Sequence, residues 1–143
     1  MLQKTSRSNS ESFTELTMKG ESVLGYCQVT VFTSTYNRRY TLERLYESLR
    51  GQTVKPMEWI IVDDGSSDDT YQLIFPWIET EIDFEIIYLR VKNGGKHRAI
   101  NKACDLARGD LFCIVDSDDY LTNDAIEKII TWEQSIQGKP GYA

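Results

Sequence analysis

The chain is short of what several function classes need. It has one histidine, His97, and three cysteines, Cys27, Cys104 and Cys113, no two of which form a C-x-x-C pair. A zinc site, which takes several His or Cys ligands at short spacing, is therefore not expected. Cys104 and Cys113 sit in apolar stretches and read as buried, inert thiols, which suits a reducing compartment. Positive charge is also in deficit: 16 Lys and Arg against 22 Asp and Glu leave a net charge of −6. General nucleic-acid binding needs the opposite balance, so a phosphate ligand would have to be held locally, by a metal or a helix N-terminus. Long apolar runs are missing as well. Leu111–Val115 and Trp59–Val62 are the longest, far short of a membrane span. The first residues lack the apolar core of a signal peptide, so the expected setting is cytoplasmic.

What is present fits one domain of 143 residues. Residues 1–26 are polar without a period and read as a loose or disordered arm, leaving 27–143 as the folded domain. Gln28–Thr33 is β-branched and predicts a strand. Leu42, Leu45, Tyr46 and Leu49 predict a helix stopped at Gly51. Trp59–Asp63 predicts a strand buried on both faces. Ser67 reads as an N-cap, with Asp68 and Asp69 in the first turn of a helix that Pro76 should end or kink near Phe75. Phe84–Leu89 predicts a third strand and Lys96–Arg108 a helix, with Ile100, Ala103, Cys104 and Ala107 inward. Leu111–Asp116 predicts a fourth strand. A last helix, capped by Thr122 or Asn123, carries Ile126, Ile129 and Ile130 and ends by Gly138. Strand and helix thus alternate, which implies an α/β fold with a mainly parallel sheet between helical layers. Such sheets bind ligands outside the carboxyl ends of their strands.

Each predicted strand does run into polar chemistry. The first ends in Thr33-Ser34-Thr35-Tyr36-Asn37, where Tyr36 can stack on a base or simply pack the top of the sheet. The second ends in Asp63-Asp64-Gly65-Ser66-Ser67, whose carboxylates can accept hydrogen bonds from a base or ribose; a plain capped βα-loop looks the same. The third is followed by Asn93-Gly94-Gly95-Lys96, a glycine loop entering a helix. Backbone N–H groups and a lysine there suit a diphosphate, although a flexible turn has the same composition. The spacing is neither Walker A nor G-x-G-x-x-G. The fourth runs into Asp116-Ser117-Asp118-Asp119. Two carboxylates about 5 Å apart at an effective dielectric of about 20 repel by about 3 kcal/mol. A hard divalent cation, Mn²⁺ or Mg²⁺, relieves that strain. Alone, D-x-D is also a common solvated turn; its place after a buried strand favours the metal site.

Taken in order, T-Y-N-R, V-D-D-G-S-S-D-D-T, N-G-G-K-H-x-A-I-N and V-D-S-D-D resemble the family 2 glycosyltransferases over roughly residues 28–137. The resemblance implies a GT-A fold, a Rossmann-like three-layer α/β/α sandwich, here stopping before the acceptor half. It implies that Thr33, Tyr36, Asn37, Asp63 and Asp64 line a nucleoside pocket, and that Asn93, Gly95 and Lys96 lie near the phosphates. Asp116 and Asp118 would hold the metal and the donor's ribose and phosphate, with Ser117 among the donor-binding residues. The activity implied is transfer of a hexosyl group from a nucleotide-sugar, usually a UDP-sugar, to a carbohydrate or lipid-linked acceptor with inversion. Ser34 departs from the family's usual proline. The catalytic base is expected beyond Ala143.

Other readings are weaker. A non-catalytic nucleotide-sugar module shares every motif. A receiver or dehalogenase-type phosphotransfer protein needs an acidic nucleophile after the first strand, where this chain has Thr and Asn. A nucleotidyltransferase needs a basic glycine-rich loop there.

Overall fold

The computed structural model describes residues 27–137. The predicted polar arm, residues 1–26, lies outside the described residues, as does the expected end of the last helix at Gly138. Four strands alternate with four helices: β1 Val29–Thr35, α1 Arg39–Arg50, β2 Glu58–Asp63, α2 Thr70–Thr80, β3 Glu85–Arg90, α3 Lys96–Leu106, β4 Leu111–Ile114 and α4 Ala125–Ile136. All sheet pairings are parallel, in the order β3-β2-β1-β4. Register sets Thr35 beside Asp63, and Asp63 beside Arg90. The carboxyl ends of neighbouring strands are thereby brought to one edge.

The sheet is covered on both faces. On one, Leu42, Leu45 and Leu49 of α1, Ile74 of α2 and Ile126 and Ile130 of α4 pack on Val31, Trp59, Ile61 and Ile86. Leu42, Leu45 and Leu49 are fully buried, each contributing about 1.5–3 kcal/mol. Trp59 stacks with Tyr46 and Trp77 and donates its Nε1–H to Thr33 Oγ1 at 2.9 Å. The other face is covered by α3, whose Ala99 and Ala103 let it sit close on Phe32, Ile60, Val62 and Ile87. This is the expected three-layer α/β/α arrangement. Among the described residues no helix is long and apolar enough to cross a membrane.

Several local expectations are corrected. Pro76 does not end α2, which continues to Thr80. Pro76 and Gln72 are both exposed, so the Gln72 carbonyl that loses its helical donor can turn to water. The start of α2 is held by Asp68, not Ser67: Asp68 Oδ1 accepts the Thr70 N–H at 3.2 Å and also the Thr70 hydroxyl. The last helix starts after Asp124 without a side-chain cap, and Gln52 Oε1 accepts the Ile126 N–H at 3.0 Å instead. Helix α3 stops at Leu106 because the next turn is pulled to the sheet: Glu58 accepts the Arg108 backbone N–H at 2.7 Å and Nε–H at 3.0 Å. Cys104 is exposed, since it lies off the face that Ala99 and Ala103 bury. Burial instead pushes up the thiols of Cys27 and Cys113.

Candidate functional site

A cleft of about 410 Å³ opens at the carboxyl edge of the sheet. It is lined by Ser34 and Thr35 at the end of β1, Tyr36 and Arg38 in the next loop, Asp64 after β2, Lys96 and Ala99 on α3, and Asp116, Ser117 and Asp118 after β4. Tyr36, Asp64, Lys96, Asp116, Ser117 and Asp118 were expected together from sequence, and they meet here.

The acidic loop after β4 is tight, with the Asp119 N–H bonded to the Asp116 carbonyl at 3.0 Å. One carboxylate oxygen from each of Asp116, Asp118 and Asp119 falls within 4.8 Å of the other two, and all three residues are exposed. Such a set of hard oxygen donors fits Mg²⁺ or Mn²⁺. Two cations neutralise part of its charge: Lys96 Nζ lies 2.7 Å from Asp116 Oδ1, and Arg38 NH1 lies 3.2 Å from Asp118 Oδ2. Ser117 sits between the aspartates, nearly buried.

The opposite wall is built by hydrogen bonds between loops. Gly65 has φ +84, a left-handed turn that glycine adopts without strain, and a Cβ there would lie 3.2 Å from the Asn93 nitrogen. The turn aims Asp64 at the glycine loop, where its carboxylate accepts the Gly94 N–H at 2.7 Å and the Gly95 N–H at 3.1 Å. These N–H groups, expected to face a diphosphate, are thus held by Asp64. Gly95 is itself left-handed, at φ +91, and starts α3 so that Lys96 reaches across the cleft.

Five expected residues, Thr33, Asn37, Asp63, Asn93 and Gly95, are not among those lining the cleft. Thr33 is fully buried and committed to Trp59. Asp63 is fully buried: its Oδ1 accepts the Ser66 N–H at 2.8 Å, and its Oδ2 accepts the Tyr88 hydroxyl. Burial, together with that carboxylate, pushes up the Tyr88 phenol, which stays a donor. Asn37 is left-handed at φ 52; its Oδ1 accepts the Ser67 N–H at 2.8 Å, and its own N–H goes to Ser66 Oγ at 2.8 Å. Asn93 is exposed in the glycine loop. Burial of Asp68 opposes its ionisation, but hydrogen bonds from Thr70 and from the Arg39 N–H outweigh it and hold the carboxyl below the usual range.

Sequence reasoning missed Ser34, Thr35, Arg38 and Ala99. Thr35 Oγ1 is buried and has no hydrogen-bond partner among the described residues, a costly state unless a ligand or water supplies one. A basic residue directly after T-Y-N was the one available signal for Arg38.

A Rossmann-like parallel sheet with an acidic metal-type cluster and a polar cleft at its carboxyl edge defines a nucleotide-type binding fold. Residues 30–134 match the profile of Glycosyl transferase family 2, and the chain belongs to that family. It is 35% identical over 100 residues to the putative teichuronic acid biosynthesis glycosyltransferase TuaG of Bacillus subtilis, covering 70% of this chain and 39% of TuaG. It is 30% identical over 113 residues to the glycosyltransferase GlyA of Streptococcus pneumoniae, covering 76% of this chain and 16% of GlyA. Among solved structures, it is similar to the mannosyltransferase PcManGT of Pyrobaculum calidifontis in complex with GDP-Man and Mn²⁺, with a TM-score of 0.67, 26% identity, and coverage of 79% and 33%. It is also similar to S. aureus TarS in complex with UDP, with a TM-score of 0.66, 27% identity, and coverage of 76% and 32%. The chain thus spans about a third of the solved structures it matches and less than half of these two relatives.

Proposed function

We propose that the cleft binds the nucleotide-sugar donor of a hexosyl transfer, with UDP as the nucleotide and Mn²⁺ or Mg²⁺ held by Asp116 and Asp118. The observation that carries this is the charge of the cleft. Three lining carboxylates, Asp64, Asp116 and Asp118, face two cations, Arg38 and Lys96. A diphosphate adds further negative charge, so it enters favourably only with a divalent cation to offset it. When bound, the metal acts as a Lewis acid that stabilises the departing nucleoside diphosphate.

The chain's own residues supply position. Tyr36, about half exposed, offers its ring face to the base. Asp64, oriented by Gly94 and Gly95, keeps lone pairs for a base N–H or a ribose hydroxyl. Thr35 Oγ1 is a donor waiting for an acceptor. Lys96 and Arg38 stand where the diphosphate's oxygens compete for them with Asp116 and Asp118. Asp116 and Asp118 hold the ribose and phosphate as well as the metal, with Ser117 lining the cleft between them. The acceptor is a carbohydrate or lipid-linked hydroxyl, attacked with inversion, and no residue of this chain is assigned as the base. Asp119, the nearest spare carboxylate, belongs with the metal cluster. Free cysteines agree with a reducing, cytoplasmic compartment.

The test is calorimetric titration of UDP with and without Mn²⁺, for the wild type and Asp118→Ala. Binding is the readout because the chain spans only about a third of the solved structures it matches. Metal-dependent binding that vanishes in Asp118→Ala is expected. A folded chain that ignores UDP, GDP, TDP and CDP alike, with metal present, would refute the reading.

A further inference from the structure

A second cavity, of about 630 Å³, opens on the three-helix side of the sheet, at the β3 edge. Its walls include Ser66, Asp69, Tyr71, Gln72, Tyr88 and Arg90, none of which lines the donor cleft. Its size is that of an ordinary small-ligand site. The back wall is rigid. Tyr88 is buried, with its hydroxyl on Asp63, while Arg90 NH2 donates to the Ser66 carbonyl at 2.6 Å.

The open side of the cavity carries the ring of Tyr71. The Tyr71 ring packs against Phe75, which lies outside the cavity lining, at 5.5 Å between centroids, and against the buried Tyr88 at 5.2 Å. Tyr71 is 42% exposed and lines the cavity. Beside the rings stand planar polar groups. The Asp69 carboxylate, the Gln72 amide and the Tyr71 hydroxyl make no hydrogen bond among the described residues.

A half-exposed ring flanked by carboxylate, amide and guanidinium groups matches one ligand chemistry well. A pyranose offers a C–H face that packs on an aromatic ring, and a rim of hydroxyls that both donate and accept. Charge narrows the class. In the lining, Asp68 and Asp69 outnumber Arg90, which is already shared with Ser66 and Asp63, and the neighbouring Arg39 is engaged, its N–H on the Asp68 carboxylate and its Nε on the Asp69 carbonyl, so a phosphate or uronate finds no surplus of positive charge. We propose that this cavity is a saccharide-binding subsite for neutral sugar residues, separate from the donor cleft. It takes from the family only that the chain works on sugars, and it stands or falls independently of how the donor cleft is filled.

The experiment is a ¹H–¹⁵N titration of the chain with neutral tetrasaccharides of N-acetylglucosamine, glucose and mannose, with UDP plus Mn²⁺ and a hyaluronan tetrasaccharide run separately. Saturable shifts at Ser66, Tyr71, Gln72 and Arg90 with at least one neutral probe are expected. Tyr71→Ala and Gln72→Ala should each weaken that binding about threefold to tenfold with the fold intact, while Tyr71→Phe should largely keep it. Three outcomes would each overturn the proposal: no shift with any neutral probe, tighter binding of the anionic tetrasaccharide, or wild-type affinity in both alanine variants. UDP plus Mn²⁺ serves as the separate readout of the donor cleft. Its failure there would sink the donor reading without touching this one.

Discussion

Replacing Lys96 by Met should move two affinities in opposite directions. In the free chain Lys96 Nζ is 2.7 Å from Asp116 Oδ1, and both side chains are 51% exposed. A pair so open to solvent is worth about 0–1 kcal/mol. Its removal frees Asp116, so Mn²⁺ alone should bind up to about fivefold tighter. With Mn²⁺ saturating, the same lysine is needed for the diphosphate. A charge-assisted hydrogen bond contributes about 1.5–3 kcal/mol, and half-exposure lowers that to about 1–2 kcal/mol. UDP affinity should therefore fall about 5- to 30-fold. The fall should shrink at high ionic strength, because exposed charges are screened. Titration of Mn²⁺ by its paramagnetic signal, then of UDP by calorimetry, separates the two arms. If Lys96→Met weakens Mn²⁺ binding in the absence of nucleotide, the competition between lysine and metal for Asp116 does not exist. Unchanged UDP affinity would instead remove Lys96 from the phosphate.

Asp68→Ala should lower stability by about 1–2 kcal/mol in urea melts, because one carboxylate serves the first free N–H groups of both α1 and α2. The carboxyl is held below its usual range in the fold. The deficit relative to wild type should therefore be full above about pH 4 and fade as pH falls further, towards the lowered native value. Arg108→Met should cost about 2–4 kcal/mol, since Glu58 is fully buried and Arg108 supplies two of its hydrogen bonds, one of them from the side chain. Its UDP affinity should match wild type, because this ion pair lies at the end of the sheet away from the cleft; an affinity loss in a folded variant would contradict that separation.

The alternation of apolar runs and helical stripes made the layered sheet legible, because a strand buried on both faces has little composition to choose from. Trp59–Val62 shows this: all four residues are fully buried. The convergence of four polar loops followed from the parallel order alone. Which residue of a loop faces the cleft was less legible. Strand β1 runs on to Thr35, so Thr33 sits one turn of the pleat lower, facing Trp59. Asp63 and Asp64 are neighbours in sequence, yet one is sealed against Tyr88 and the other opens to the cleft; the partner that decides this is 25 residues away. Arg38 meets Asp118 across 80 residues, a pairing with no local mark. Pro76 shows the converse: a strong local signal overridden where water can replace the lost bond.

Asn37 reaches past its own loop to Ser66, Ser67 and Asp68, and Asp68 returns a bond to Arg39. The turns after β1 and β2 are therefore one object built from two stretches of sequence. Neither can drift alone. A residue at position 37 that cannot adopt the left-handed turn leaves the N–H groups of Ser67 and Asp68 without their acceptor, and loosens the mount of Tyr36 and Asp64 together. Substitutions at 37 and at 66–68 should therefore be tolerated in matched sets, and a single change at any one of these positions should disturb both loops at once.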